Sequence, residues 1–309
     1  MPINNQMQDS KFVIDKTNYG KTGVKILHLV RNGLVHTVKE YEVTTLLTLD
    51  TLKDFMQADN SDIIATDSQK NTVYILAKKY GIKSPEDFGI LLSSHFITKY
   101  AHVTKAVVNI QEVMWNRVSY GDHANSKLHN HAFIHTPICT RITNVVLNRE
   151  DKYPSISSGI KDLRVLKTTQ SSFMNFVNDE YRSLPDADDR IFSTIVDCSW
   201  IYSPNPNVDF CKVFDSVKNS IIFNFAGDLE KGIASASVQN TIYITEKDVL
   251  EKIKDIKSIE MTLPNKHYIN FNFAPFKSIV YDDEQTVFIP LDKPSGVIYA
   301  KLDRKISKL

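Results

Sequence analysis

Cysteine is scarce in this chain: Cys139, Cys198 and Cys211 are the only three in 309 residues, and they form no CxxC pair. That argues against a disulfide framework or a cysteine-rich zinc site, and fits a reducing compartment better than secretion. Charge of one sign is lacking too. The 37 Lys and Arg residues against 36 Asp and Glu leave a net +1 at pH 7, so no global field draws the chain to nucleic acid or an acidic membrane surface. No apolar run is long enough to span a bilayer, and the opening MPINNQMQDSKF lacks the apolar core of a secretory signal. A Walker loop, GxGxxG, GxSxG and HExxH are all missing, and with them the standard nucleotide, flavin and hydrolase signatures. The expectation is a soluble intracellular protein with no nucleic-acid or membrane partner.

What is present begins with 42% hydrophobic residues, enough to bury a substantial core in one large or two medium domains. GVKILHLVR (23–31) and VHTVKEYEVTTLLTL (35–49) read as strands joined by a turn at Asn32-Gly33. A helix is predicted over Asp67–Lys79. Another begins at Ser84, where Ser84 can cap, Pro85 suits the first turn, and Glu86 and Asp87 suit the positive end of the helix dipole. Strands near 103–117 and 130–147 follow. The order then repeats, with strands near 159–169 and 191–203, helices near 209–226 and 237–253, and strands near 256–273 and 285–303. Two ββααββ halves predict an α+β architecture, with an antiparallel sheet in each and helices on one face. The final Ser307-Lys308-Leu309 is the tripeptide read by the peroxisomal import receptor, so a peroxisomal location is expected.

Two kinds of constellation could carry chemistry. DHANSKLHNHAFIH (122–135) crowds four histidines. On a strand His129, His131 and His135 would share a face, and three imidazoles can hold zinc or copper. The bland reading is a polar loop-to-strand surface. The second kind is a scatter of polar islands at element ends: YGKTGV (19–24), NSDIIATDSQKNT (60–72), VLKTTQSSF (165–173), DDRIFST (188–194), ASVQNT (236–241) and LPNKHY (263–268). Singly each has a plain explanation: TDS reads as a helix cap, Asp189-Arg190 as a surface pair, Phe173 as core. Within LPNKHY, Asn265 and His267 stand two apart, so on an extended chain an amide and a titratable imidazole project from one face.

In this order and spacing, the islands make the chain resemble the urate oxidase (uricase) family from about Tyr19 to its end. The resemblance implies tandem tunnelling-fold (T-fold) units over 19–150 and 151–306, after a polar lead (1–18) and before a targeting tripeptide (307–309). It implies oxidation of urate by O2 and water to 5-hydroxyisourate and hydrogen peroxide, with no cofactor and O2 as co-substrate. Phe173 would stack on the purine. Arg190 would grip a ring nitrogen and the C2 carbonyl, while Gln239 reads the N1 and O6 edge with help from the Val238 backbone N–H. The Thr66 hydroxyl and the Asp67 backbone would meet the five-membered ring. Lys21, Thr66 and His267 would relay a proton, and Asn265 with Thr66 would hold oxygen and then water. The family assembles as homotetramers with sites between subunits. One local departure is Met174-Asn175, where the family has a variable residue and then Gly; Asn tolerates unusual backbone angles better than most residues. The alternative is a metal-dependent T-fold enzyme acting on a purine or pterin through the 122–135 histidines.

Overall fold

The computed structural model describes residues 12–121, 127–279 and 285–305. His123 and the terminal Ser307-Lys308-Leu309 fall outside them, as does most of the polar lead. The chain opens with an antiparallel pair, β1 (Tyr19–Asn32) and β2 (Val35–Leu49). Asn32 stands opposite Val35, and Gly33 takes φ +58°, which a tight turn here requires. A short α1 (Lys53–Met56), which carries no buried residue, had no counterpart in the sequence expectation. Helix α2 (Thr66–Tyr80) buries Gln69, Val73, Leu76 and Ala77, the spacing of one helical face. Helix α3 (Pro85–Lys99) starts where capping placed it: the Ser84 hydroxyl accepts from the Asp87 N–H at 3.0 Å. Gly89 lets α3 lie close on the sheet, since a Cβ there would meet Val145 Cγ2 at 2.6 Å.

Strands β3 (Val103–Val113), β4 (Asn116–Tyr120), β5 (Lys127–Ile134) and β6 (Thr140–Asn148) follow. Here the chain departs from the predicted long strands. The 130–147 segment breaks at 135–139, where Pro137 cannot donate to a ladder and biases Thr136. The β4–β5 hairpin forms a separate two-stranded sheet. The rest is β7 (Ser155–Lys167), β8 (Phe192–Tyr202), α4 (Phe210–Ala226), α5 (Val238–Lys252), β9 (Ile256–Asn270), β10 (Phe288–Leu291) and β11 (Val297–Asp303). The predicted 285–303 strand is thus two strands, split at the turn containing Pro294.

The halves do not keep separate sheets. β6 pairs antiparallel with β7 from Thr140↔Lys161 to Val146↔Ser155, so one nine-stranded sheet runs β1-β2-β3-β6-β7-β8-β9, with β10 and β11 both on β9. The main core lies between the second half's strands and α4 and α5, around Trp200, Phe214, Ile221, Ile242 and Ile259. A second cluster packs Tyr41, Val43, Phe88 and Leu92 under α2 and α3. The junction holds a buried polar knot. Arg141 on β6 reaches Glu86 of α3 at 2.8 Å, Glu112 of β3 at 3.3 Å and the Phe210 carbonyl of α4 at 3.2 Å. Thr143 and Ser158 donate to the same Glu86. Removing one member would strand a buried charge, typically a loss of ~3–5 kcal/mol.

Candidate active site

The sequence-selected residues fall into two groups. The first is at the β1 edge of the sheet. Lys21 stands opposite Thr45 of β2, next to a bulge in which Gly23 takes φ +66°. Thr45 donates its hydroxyl to Gln69 Oε1 at 2.9 Å, and Gln69 Nε2 returns a bond to the Ile64 carbonyl at 3.2 Å. The Ile64 N–H donates to the Tyr19 hydroxyl at 2.9 Å. These buried contacts fasten the approach to α2 against β1 and β2, so Thr66 and Lys21 belong to one rigid corner. Thr66 is the first residue of α2, not its cap. The capping position is Ala65, which offers no side-chain acceptor, so the first-turn N–H groups lack a side-chain partner. The Asp67 carboxylate turns to Lys70 and to Asn71, the latter at 3.0 Å. Its hydrogen bond to Lys70 holds it below the usual carboxylate range, and Lys21 adds a weaker pull. With that side chain occupied on its own helix, Asp67 presents its backbone.

The second group lies at the other end of the sheet. The 168–191 segment carries no regular helix or strand, yet it is tied at several points. Phe173 exchanges two backbone bonds with Ala187, at 2.7 and 3.0 Å. Phe176 stacks on one face of Phe173 at 4.6 Å, with the planes 15° apart. Asn175, part of the Met174-Asn175 departure expected from the resemblance, takes φ +59° and donates its N–H to Asp186 at 3.2 Å. It therefore keeps a left-handed backbone without glycine. The Arg190 guanidinium carbon is 5.2 Å from the Phe173 ring centroid. Burial lowers the affinity of this guanidinium for its proton, and it has no hydrogen bond or ion pair among the described residues. Asp189 and Arg190 are no surface pair: the Asp189 carboxylate turns to Thr169, Ser171 N–H and the Arg190 backbone N–H.

Val238, buried, and Gln239, exposed, open α5 behind Ser237, whose hydroxyl accepts from the Asn240 N–H at 3.1 Å. Asn265 and His267 sit on β9 two positions apart, so both project from one face, next to Thr194 of β8 and Leu291 of β10. The Asn265 N–H donates to the Gly296 carbonyl at 2.8 Å, and Ser295 Oγ donates to the Asn265 carbonyl at 2.7 Å. A Cβ at Gly296 would stand 3.5 Å from Asn265 Nδ2, an ordinary van der Waals contact, so that turn lies close beside the amide.

One chain does not bring the two groups together. Five strands (β2, β3, β6, β7 and β8) separate β1 from β9, roughly 29 Å along the sheet at the usual strand spacing.

The histidine segment does not assemble as its spacing suggested. His129 Nδ1 accepts the Ala132 N–H at 2.9 Å and the His131 N–H at 3.2 Å, a local turn. His131 lies between His129 and His36, at ring separations of 4.7 and 5.6 Å, while His135, past the end of β5, packs on Trp115 at 5.3 Å. No group of three or more metal-ligating side chains gathers among the described residues. Sequence reasoning assigned nothing to Lys167 and read Asp189 only as a surface partner to Arg190, yet both tie the second group's loops. Both lay in quoted polar islands, but their partners are 66 and 20 residues away in sequence, and no local pattern shows that.

Comparison with known proteins agrees with this architecture. The uricase family model matches residues 17–146 and 156–299. The uricase of Drosophila subobscura is 52% identical over 319 residues, covering 98% of this chain and 94% of its own. That of Oryctolagus cuniculus is 41% identical, covering 99% of each. Among solved structures, the uricase from Arthrobacter globiformis superposes with a TM-score of 0.86 at 32% identity, over 97% of this chain and 98% of that one.

Proposed function

The chain belongs to the uricase family, a urate oxidase of T-fold architecture, and on that premise we propose that it works without metal or flavin, at sites shared between two copies of itself. The balanced reaction is urate + O2 + H2O → 5-hydroxyisourate + H2O2. The observation that carries the shared site is the separation of the β1 corner, with Lys21, Thr66 and Asp67, from β9, with Asn265 and His267, by five strands of one sheet. Phe173 and Arg190 stand between β7 and β8, and Val238 and Gln239 open α5, which packs on β9 and β11. If one subunit's β1 corner meets its neighbour's β9 end, a complete set is assembled, twice per twofold pair. A homotetramer of two such pairs is the assembly we infer.

Within that site each side chain suits its task. The Phe173 ring offers an aromatic surface to a flat purine. Arg190, free of acidic partners among the described residues, offers a planar fork to an anionic edge. Gln239 presents a donor and an acceptor to the N1 and O6 edge, and the Val238 N–H at the start of α5 adds a donor. The Thr66 hydroxyl and Asp67 N–H, at the uncapped start of α2, meet the five-membered ring. Triplet O2 reacts slowly with closed-shell molecules, so the protein must first make urate electron-rich. Lys21, Thr66 and His267 relay a proton away from bound urate to give the dianion. The dianion passes an electron to O2, and recombination at C5 forms a hydroperoxide. Asn265 with Thr66 holds oxygen and then the water that replaces peroxide. Ser307-Lys308-Leu309 supports import into peroxisomes through the import receptor, where catalase removes the peroxide. The deciding experiment is the loss of urate absorbance in aerated, chelator-treated buffer. Activity should persist; loss with chelator and recovery with zinc or copper would favour the metal-dependent reading.

A further inference from the structure

Phe173 and Arg190 stand on an irregular segment that would ordinarily wander, yet its neck is closed by one side chain. The Asp189 carboxylate accepts from the Thr169 hydroxyl on Oδ2, and from the Ser171 N–H (3.2 Å) and the Arg190 N–H (3.0 Å) on Oδ1. Thr169 and Ser171 lead into Phe173, so the carboxylate joins the stretch that delivers the ring to the residue that carries the guanidinium. From this point the tie continues to α5. Ser172 N–H donates to the Ser235 carbonyl at 3.0 Å, and Ser235 N–H donates to the Gln170 carbonyl at 2.8 Å. Lys167 Nζ fastens the same stretch through the Ile233 carbonyl and Ser235 Oγ, both at 2.8 Å. Ser235 lies two residues before the Ser237 cap of the helix that presents Val238 and Gln239.

We propose that Asp189 is a positioning residue for urate: its carboxylate sets the spacing between the Phe173 ring and the Arg190 guanidinium, and through Ser171 and Ser235 the entry of Gln239. This rests on Phe173, Arg190 and Gln239 being the urate cradle. A carboxylate beside an anion-binding arginine is a liability, because it competes for the guanidinium and repels the ligand. Here three donors occupy it, and none is the guanidinium. The hydrogen bond from Thr169 is the main reason this carboxyl stays below the usual range, so the clamp is ionised at neutral pH. The acid acts by geometry, through the residues it fastens.

The test is steady-state urate oxidation by the full-length protein carrying Asp189→Ala, Asp189→Asn, Thr169→Val, Arg190→Ala and the Asp189→Ala/Arg190→Ala pair. Asp189→Ala should raise KM roughly tenfold or more, with a smaller change in kcat. Asp189→Asn should recover most of that loss, because an amide oxygen accepts the same two backbone N–H groups. Thr169→Val, which removes one bond of three, should show the same KM-weighted loss in milder form. The double variant should raise KM by less than the product of the two single effects, since part of the clamp's effect acts through that arginine. A general folding lesion would lower the active fraction and leave KM unchanged, which overturns the proposal. So would an Asp189→Asn variant that matches Asp189→Ala, or a KM lowered by both, which would make the role one of charge. If Arg190→Ala raises KM while Asp189→Ala leaves it within about twofold of the parent, the clamp alone is wrong. If Arg190→Ala leaves KM unchanged, the cradle itself is wrong, and the clamp falls with it.

Discussion

The Arg190 guanidinium lies 5.2 Å from the centre of the Phe173 ring, on chain that is 17 residues further along yet held beside it by backbone bonds. A planar cation next to an aromatic ring, with no carboxylate partner among the described residues, is suited to a flat anion. Arg190→Lys keeps the charge and loses the two-point fork. It should raise KM for urate by roughly ten- to a hundredfold, with a smaller loss in kcat. Unchanged KM would remove Arg190 from the substrate edge.

Lys21 has the opposite expected signature. Its place at the β1 corner, near enough to the first turn of α2 to act on the Asp67 carboxylate, suits proton transfer more than grip, so Lys21→Met should depress kcat by roughly a hundredfold or more while KM moves less. Full turnover at saturating urate would refute the relay.

Asn265 separates oxygen from substrate. Its backbone is fixed by Gly296 and Ser295, at 2.8 and 2.7 Å, so Asn265→Ala should leave β9 in place. Urate affinity measured without oxygen should be preserved, and the aerobic rate should fall roughly tenfold or more. Equal losses in both measurements would move Asn265 to the substrate edge.

Local chemistry made part of this legible in advance. Ser84 and Pro85 mark the start of α3 because capping is settled within four residues, and Gly33 marks the β1–β2 turn because few residues take its φ. Alternation alone put Asn265 and His267 on one face. The start of α2 is less legible, since Ala65 carries no capping group. Pro137 marks the break at 135–139 locally, whereas the pairing of β6 with β7 is one that local periodicity does not encode. Asp189 and Arg190 show the same limit. Adjacent and opposite in charge, they read as a pair, but the carboxylate is drawn to Thr169, 20 residues earlier. The division of the site residues between the two ends of the sheet is likewise a property of strand order.

Glu246 predicts a pH effect on stability. It lies on α5 at 1% exposure, and its Oε1 has no partner among the described residues. Burial pushes its carboxyl up to about 7 from an ordinary value of 4.5, with the Met261 backbone bond opposing and Glu260 adding. The folded state therefore keeps a proton that the unfolded chain releases above pH 4.5. Its contribution is complete below that pH and is lost as pH rises through about 7. Glu246→Gln should raise unfolding free energy at pH 8 by about 2–3 kcal/mol, and by almost nothing near pH 4.5. Urea titrations at both values decide it, and an equal gain at each would show that ionisation plays no part.

The shared site is tested most directly by mixing two defective chains. Lys21→Met and Arg190→Ala, each expected to be nearly inactive alone, are co-expressed with different tags and purified sequentially, so that only mixed oligomers are assayed. In a twofold mixed pair, one site collects both lesions and the other collects neither. Urate oxidation should return to about half that of the normal pair by this symmetry. Verified mixed oligomers with no recovered activity would contradict a site built from the β1 corner of one subunit and the β9 end of another.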